Sequence, residues 1–375
     1  MLRKTLLFIV NDCDFFVSHR LPLAQAAMKD GYSVFLASPA SPNAERLKSL
    51  GVRCIEITMN RGSTSVLREL VTLFSIFVAF LRVRPRIVHL VTIKPVLYGG
   101  LIARLFPVKG VVMAISGLGH VFMAEGRRSV VRRVVETVYR IALAPEKVRV
   151  IFQNKDDQQL VSRITGLEES RAVLIPGSGV ALDEYHLVPE AQGELRVCFA
   201  SRLLHDKGFS EFCEAARRIR ENGIAARFLV AGKLDRYNPA AVTKAELDAV
   251  VASGAVEYVG FRTDMADFLS SCHVVVLPSY REGLPKVLVE AAAVGRAVVT
   301  TDVPGCRDAV TPGVTSLVVP VRDAAALADA ITRLLLDSEL RQKMGAAGRV
   351  LAEQRFDIKQ VVATHLRIYK EAAGL

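Results

Sequence analysis

A chain of 375 residues is past the length at which one hydrophobic core stops growing, so two domains of ordinary size are expected. Apolar residues make up 51% and charged residues 23%, a balance that can bury two cores and excludes a disordered chain. The formal charge of +11 is concentrated in residues 1–190, where 25 Lys and Arg face 16 Asp and Glu, against 24 and 22 in the remainder. The first half therefore faces something anionic, and charge alone leaves nucleic acid, acidic lipid and a phosphorylated substrate open.

The elements begin at once. Met-Leu-Arg-Lys runs into the apolar strand TLLFIV with no small-residue cleavage site behind it, so the start does not read as a signal peptide. A helix ending at Asp30-Gly31, the strand SVFLAS, a helix ending at Leu50-Gly51, and the strands VRCIEIT, IVHLVT, VVMAIS and VRVIFQN follow. Strands this uniformly apolar are buried on both faces, and their alternation with amphipathic segments predicts a doubly wound parallel sheet. After PEAQG (189–193) the pattern restarts with LRVCFA, a helix from Ser210 to Glu221, ARFLVAG, another helix, VEYVGF, HVVVLPS, a helix from Pro285, and AVVTTD. The fold class is thus α/β, two Rossmann-like halves joined near residue 190. Ligands of such sheets sit beyond the carboxyl ends of the strands, which points to the loops 11–20, 92–99, 116–122, 201–208 and 279–286.

Two segments of the first half bear on a membrane. LVTLFSIFVAFL, Leu70 to Leu81, precedes Arg82, Arg84 and Arg86; its twelve residues fall short of the roughly 20 that span a bilayer. It reads as a buried helix or as a surface in contact with lipid. In GRRSVVRRVVETVYR (126–140), Arg128, Arg132 and Arg133 fall at helical spacing beside Val130, Val131, Val134 and Val138. Such a basic amphipathic helix lies on acidic lipid or presents a solvated face. The six cysteines include no C-x-x-C pair and most lie in apolar runs, which argues against disulfides and zinc and for a reducing compartment. Asp12-x-Asp14, after the first strand, is the one acidic pair to weigh as a metal site, and Asn154 in FQNKDD is a candidate cap for the helix after it.

The densest signal is YREGLPKVLVEAAAVGRAVVTTD, Tyr280 to Asp302, where Glu282 and Glu290 are separated by seven residues. Pro285 suits the first turn of a helix, so the helix is expected to start at Leu284 to Pro285. The two carboxylates then bracket its N-terminus, where the N–H groups of Gly283, Leu284 and Lys286 form an anion site. Acidic residues there also stabilise a helix through its dipole with no function at all. A second feature favours function: in CFASRLLHDKGFSEF the strand ends at Ala200, and Arg202 and Lys207 follow in the loop ahead of Gly208. An arginine fork and a compact lysine charge at a strand's carboxyl end suit a diphosphate.

SRLLHDKG together with REGLPKVLVEAAAVGRAVVTTDVPG, and VEYVGFRTDMADFLSSCHVVVLPS between them, resembles the retaining glycosyltransferases of family 4, over essentially the whole chain. The resemblance implies the GT-B fold, two Rossmann-like doubly wound domains facing a cleft. Residues 1–187 would bind the acceptor and residues 190–357 the nucleotide sugar, with a C-terminal helix, 358–375, packing back on the first domain. It implies that Arg202 and Lys207 hold the donor diphosphate, Glu290 the ribose and Glu282 the hydroxyls of the transferred sugar. Gly283, Leu284, Pro285 and Lys286 would line the donor, the backbone near Phe261 and Arg262 would meet the base, and no divalent metal or other cofactor would be required. Where many members carry Gly-Gly after the first strand, this chain has NDCDFFVSHRLPLA.

SHRLPLA, HLVTIKPVLYGG and ISGLGHVF are similar to the subgroup that adds sugars, often N-acetylated hexosamines, to polyprenyl-diphosphate carriers for O-antigen, capsule or glycoprotein glycans. That likeness places His120 at the transferred sugar and Ser18, His19, Lys94 and Gly119 at the acceptor; each has a plainer reading as a surface residue. The expected partners are a UDP-sugar, a lipid-linked acceptor and an anionic membrane surface docked through Arg128, Arg132 and Arg133, at the cytoplasmic side of the cell membrane. No side chain reads as a nucleophile beside a base, so the resemblance implies same-face attack with the leaving phosphate taking the acceptor's proton. A GT-B UDP-sugar 2-epimerase and a non-catalytic nucleotide-sugar-binding membrane protein are the alternatives. A NAD-dependent dehydrogenase lacks its G-x-G-x-x-G after the first strand, and nucleic-acid binding lacks an aromatic-basic motif.

Overall fold

The computed structural model describes residues 4–60, 65–118, 130–235 and 238–374, without the side chains of Val130 and Val131. It divides into two compact units, Met1–Ser178 with Gln360–Leu375, and Gly179–Lys359. The division falls nine residues before the expected 187, because Val180 and Tyr185 pack into the core of the second unit.

The first unit is built on seven parallel strands: β1 (Thr5–Ile9), β2 (Ser33–Ser38), β3 (Arg53–Glu56), β4 (Ile87–Val91), β5 (Gly110–Ile115), β6 (Val148–Phe152) and β7 (Ala172–Leu174). They are ordered β3-β2-β1-β4-β5-β6-β7. Alternate residues of β1 serve two cores. Leu7 and Ile9 face the helices Val66–Val83, Gly100–Ala103, Val130–Leu143 and Lys155–Thr165; Leu6 and Phe8 face Cys13–His19, Leu21–Lys29, Asn43–Ser49 and the C-terminal Ile358–Ala373. A strand buried on both sides has no polar face to show, which is why these strands read as unbroken apolar runs.

The segment 11–20, expected as a loop, is mostly the helix Cys13–His19. The Asp12 carboxylate accepts from the Asp14 and Phe15 N–H groups at 2.8 and 3.3 Å and so satisfies donors a helix start leaves unpaired. Asn154 caps Lys155–Thr165 in the same way, accepting from the Asp157 N–H at 2.8 Å.

The second unit has six parallel strands: β8 (Arg196–Ala200), β9 (Arg227–Ala231), β10 (Glu257–Gly260), β11 (Val274–Leu277), β12 (Ala297–Thr301) and β13 (Ser316–Val319). Their order is β10-β9-β8-β11-β12-β13. In both sheets the strand order reverses beside the first strand of the unit, between β1 and β4 and between β8 and β11. At that reversal consecutive crossovers leave on opposite faces and open a crevice at the carboxyl ends.

Candidate active site

In the second unit the crevice lies past Ala200 and Leu277, and both loops there are shaped for close approach. Gly208 has φ of +76°, and a Cβ on it would stand 2.2 Å from the Pro278 carbonyl oxygen, so only glycine lets the loop after β8 press on the end of β11. Gly305, at φ +82°, does the same for the next loop: a Cβ there would meet the carbonyl oxygens of Glu282 and Gly283 at 2.6 Å. The Thr301 hydroxyl donates to the Ser279 carbonyl and ties the loop to β12.

The result is a short-range constellation. Lys207 Nζ lies 2.5 Å from Glu282 Oε1, which also accepts from Ser279 Oγ at 2.7 Å. Both charged side chains are largely shielded, at 14% and 12% exposure. Opposite unit charges about 4 Å apart near a protein surface attract by on the order of 4 kcal/mol before desolvation is subtracted. Lys207 rests on Glu282, and a doubly charged anion is a strong competitor for its ammonium.

The helix that follows is Lys286–Ala293. Pro285 stands one place earlier than expected: with ψ of 120° it is the extended residue before the helix and not its first turn. Gly283, Leu284 and Pro285 are buried under the loop, Leu284 within the core. Glu290, inside the helix, is 4% exposed. Its Oε1 accepts from Tyr185 Oη at 2.6 Å and pairs with Lys286 Nζ at 3.0 Å. Burial and the neighbouring Glu290 charge push the Tyr185 phenol above its ordinary range, so it stays a donor.

Arg202 has a partner of its own. Its Nη1 pairs with Asp235 Oδ2 at 3.0 Å, past the end of β9, and its side chain is 46% exposed. Phe261, past β10, is 56% exposed with the Lys233 ammonium 4.1 Å from its ring centroid, and Arg262 is held by Asp264. Ser279, Tyr185, Lys233 and Asp235 all escaped sequence reasoning. Ser279 was within reach, three residues before Glu282 in an expected loop, whereas Tyr185 comes from 105 residues away.

The first unit treats its candidates differently. Lys94, expected to be available to an acceptor diphosphate, is engaged at 2.7 Å by Glu69 and at 2.8 Å by the Asn60 carbonyl; Tyr98 donates to the other Glu69 oxygen at 2.7 Å. Ser18 donates to the Asp14 carbonyl at 2.9 Å and lies 2.7 Å from His19 Nδ1, and His19 stacks on Phe15. Asp14 accepts from Asn43 at 2.8 Å, so the pair weighed as a metal site is occupied by a helix cap and a contact with the start of the helix Asn43–Ser49. Among the described residues no group of three or more His, Cys, Asp and Glu is placed to hold a metal ion. Gly119, His120 and Arg128 lie outside the described residues. Arg132 pairs with Glu136 at 2.9 Å, and Arg133 is exposed.

The segment 70–81 belongs to the helix Val66–Val83, which buries Ile76, Ala79, Phe80 and Val83 and leaves a second apolar face, including Leu67 (76%) and Phe74 (68%), in the open. Among the described residues no helix is long and apolar enough to cross a membrane.

Two parallel sheets with their polar loops gathered at the carboxyl ends define the GT-B class, and solved structures agree. Sucrose-phosphate synthase from Thermosynechococcus elongatus matches with a TM-score of 0.80 over 98% of this chain and 99% of that one, at 19% identity. HepE from Anabaena, solved in complex with UDP-glucose, matches with a TM-score of 0.76 over 99% and 100%, at 16% identity. In sequence, residues 5–154 match the family model described as Glycosyl transferase 4-like, and residues 194–337 the model described as Glycosyl transferases group 1. The chain is also 26% identical over 364 residues to the N,N'-diacetylbacillosaminyl-diphospho-undecaprenol alpha-1,3-N-acetylgalactosaminyltransferase of Campylobacter jejuni, covering 93% of this chain and 94% of the relative. The protein belongs to this glycosyltransferase family, and it is an enzyme that transfers a glycosyl group.

Proposed function

We propose that the protein moves a sugar, an N-acetylhexosamine, with retention from a UDP-sugar to a polyprenyl-diphosphate-linked saccharide at the inner face of the cell membrane. The observation that carries the reading is the Lys207, Glu282 and Ser279 cluster at the strand-order reversal of the second sheet, ahead of the helix Lys286–Ala293. A diphosphate entering there draws the Lys207 ammonium onto its oxygens and frees Glu282 for a sugar hydroxyl, with Ser279 still holding the carboxylate in place. As the nucleoside diphosphate departs, negative charge grows on the β-phosphate, where Lys207, Arg202 and the first N–H groups of the helix act. Glu290, fixed by Tyr185 and Lys286, takes the ribose, and Phe261 with Arg262 flanks the base. The attacking hydroxyl passes its proton to the leaving phosphate oxygen, and no divalent ion enters the proposal.

The lipid-linked acceptor is supported by the Campylobacter relative, whose name specifies a diphospho-undecaprenol acceptor, and by the exposed apolar face of Val66–Val83. That helix runs from the carboxyl end of β3 back to the amino end of β4, so Leu67 and Leu70 stand at the carboxyl edge of the first sheet, and Val71 and Phe74 continue the bare face along the helix. Arg132 and Arg133, at the start of Val130–Leu143, stand at the same edge. Apolar residues beside cations suit an acidic bilayer surface, where each basic side chain adds on the order of 1 kcal/mol.

The test is to incubate the protein with a panel of nucleotide sugars and a polyprenyl-diphosphate monosaccharide and to weigh the products. A mass gain of one N-acetylhexosamine on the lipid is expected. Conversion of a UDP-sugar with no acceptor present makes it an epimerase instead, and consumption of neither substrate overturns the reading.

A further inference from the structure

The amino ends of the first sheet hold a feature for which the transfer reaction has no use. There Arg53, Arg82, Arg84, Arg86 and Lys109 line a single groove of about 780 Å³, and among the described residues no acidic one lines it. None of the five forms a salt bridge with another described residue, whereas in the second unit Arg227, Arg217 and Arg341 are all paired. Like charges gathered around one concavity focus a positive potential that a multivalent anion relieves.

Three local details show that the cations are placed rather than scattered. Arg84 ends the helix Val66–Val83 in the left-handed conformation, at φ +46°, where glycine is the unstrained residue. A long side chain kept at such a position points to a use for it. Arg86 donates through Nη2 to the Ala373 carbonyl at 3.3 Å, which fixes its fork, while its Nε is buried with no hydrogen-bond partner among the described residues. The Arg53 guanidinium is held over the Phe35 ring, 5.3 Å from the centroid.

We propose that this groove binds phosphate groups that together carry two or more negative charges, either on one soluble diphosphate or on neighbouring headgroups of anionic phospholipids. Guanidinium forks match phosphate oxygens two at a time, and four of the five cations are arginines. The β4 strand has five residues and spans about 17 Å, so the groove lies at the opposite edge of the sheet from the loop 92–99. The inference stands on the groove itself and does not need the proposed substrates.

Calorimetric titration of the full chain with inorganic pyrophosphate at low salt reads the site. Relative to the wild type, the Arg53→Gln/Arg84→Gly/Lys109→Gln chain is expected to bind one pyrophosphate fewer, or to bind it at least tenfold more weakly. Arg84→Gly alone, which relieves the backbone and so keeps the fold, is expected to weaken it about threefold. Lys207→Ala, in the other unit, should leave this binding event in place, which separates it from any diphosphate held at the active site. Equal stoichiometry and affinity in the wild type and the triple variant overturns the proposal. Sedimentation with phosphatidylglycerol and phosphatidylcholine vesicles then names the source. Selective loss of phosphatidylglycerol binding in the triple variant assigns the site to a headgroup, and unchanged vesicle binding beside lost pyrophosphate assigns it to a soluble phosphate.

Discussion

The two sheets share one strand order and put it to opposite uses at the reversal. At the end of β8 and β11 the second unit presents charge: Lys207 on Glu282, Arg202 on Asp235, and Lys286 on a buried Glu290. At the end of β1 and β4 the first unit turns charge inward. Arg20 is 2% exposed just after the first helix, and His89, His365 and Tyr369 are buried with it, His89 Nδ1 lying 2.5 Å from the Tyr369 hydroxyl. Its outward surface beside the same edge sets bare apolar side chains, Leu67 and Leu70 among them, beside Arg132 and Arg133. The difference suits a division of labour in which one unit handles a polar donor and the other a lipid.

The largest test of that contrast is Lys207→Ala. Removing a preorganised group that meets developing charge lowers kcat by about 10² to 10³. The fold should survive, because the lysine contributes an ion pair at the edge of the loop and no core packing. Turnover in single-turnover assays with circular dichroism alongside checks both halves of the expectation; near wild-type transfer removes Lys207 from the chemistry.

The second test is on the apolar side. Leu67→Ser/Leu70→Ser/Phe74→Ser should reduce binding to anionic vesicles by tens of fold, since each large apolar side chain contributes about 1.5 to 3 kcal/mol when fully buried, and less at a membrane surface. Stability should hold, because all three are in the open. Vesicle sedimentation decides it, and unchanged binding separates this helix face from the membrane.

How much of this was legible follows the same division. The second unit's loops could be read because short polar segments between apolar strands carry chemistry in sequence order: Arg202, Lys207 and Glu282 each follow a strand end directly. What stayed hidden there were partners brought by the fold, such as Tyr185 for Glu290, and the ψ of Pro285, which local sequence does not fix. In the first unit the alternation of strands and helices was readable, but the outward face of Val66–Val83 was not, because an apolar run looks the same whether both faces are buried or one is bare. Lys94 was legible as a cation just past β4, but its partner Glu69 was not, because that residue stands 25 residues earlier on another element.

The buried imidazoles give the first unit a pH response. Burial holds His89 well below the ordinary imidazole range, and burial together with the nearby Arg20 charge takes His365 to about 3. In the unfolded chain both titrate near 6.5. Between about pH 6.5 and 3 the unfolded chain therefore takes up protons that the folded chain refuses, so stability is complete above 6.5 and falls as the pH drops. His365 contributes a slope of about 1.4 kcal/mol per pH unit inside that window, and His89 acts in the same direction. Urea midpoints for the wild type and His365→Gln at pH 7, 6 and 5 check the sign: the variant should show the shallower dependence, and parallel curves would exclude His365.

A smaller effect than that of Lys207→Ala falls on Tyr185, which sharpens the comparison from the donor side. Its hydroxyl donates to the Glu290 oxygen that also pairs with Lys286, leaving Oε2 to meet a ligand. Tyr185→Phe deletes the donor and little volume, so Glu290 keeps its ion pair and loses one restraint on its rotamer. A single hydrogen bond to a charged group is worth about 1.5 to 3 kcal/mol, and Lys286 remains to recover part of it. The donor KM should then rise about fivefold with kcat nearly unchanged, because Glu290 is proposed to grip the ribose equally in the ground and transition states. A fall in kcat at constant KM would move Glu290 from holding the nucleotide to acting on the reacting sugar, and the distinction between the two glutamates would have to be redrawn.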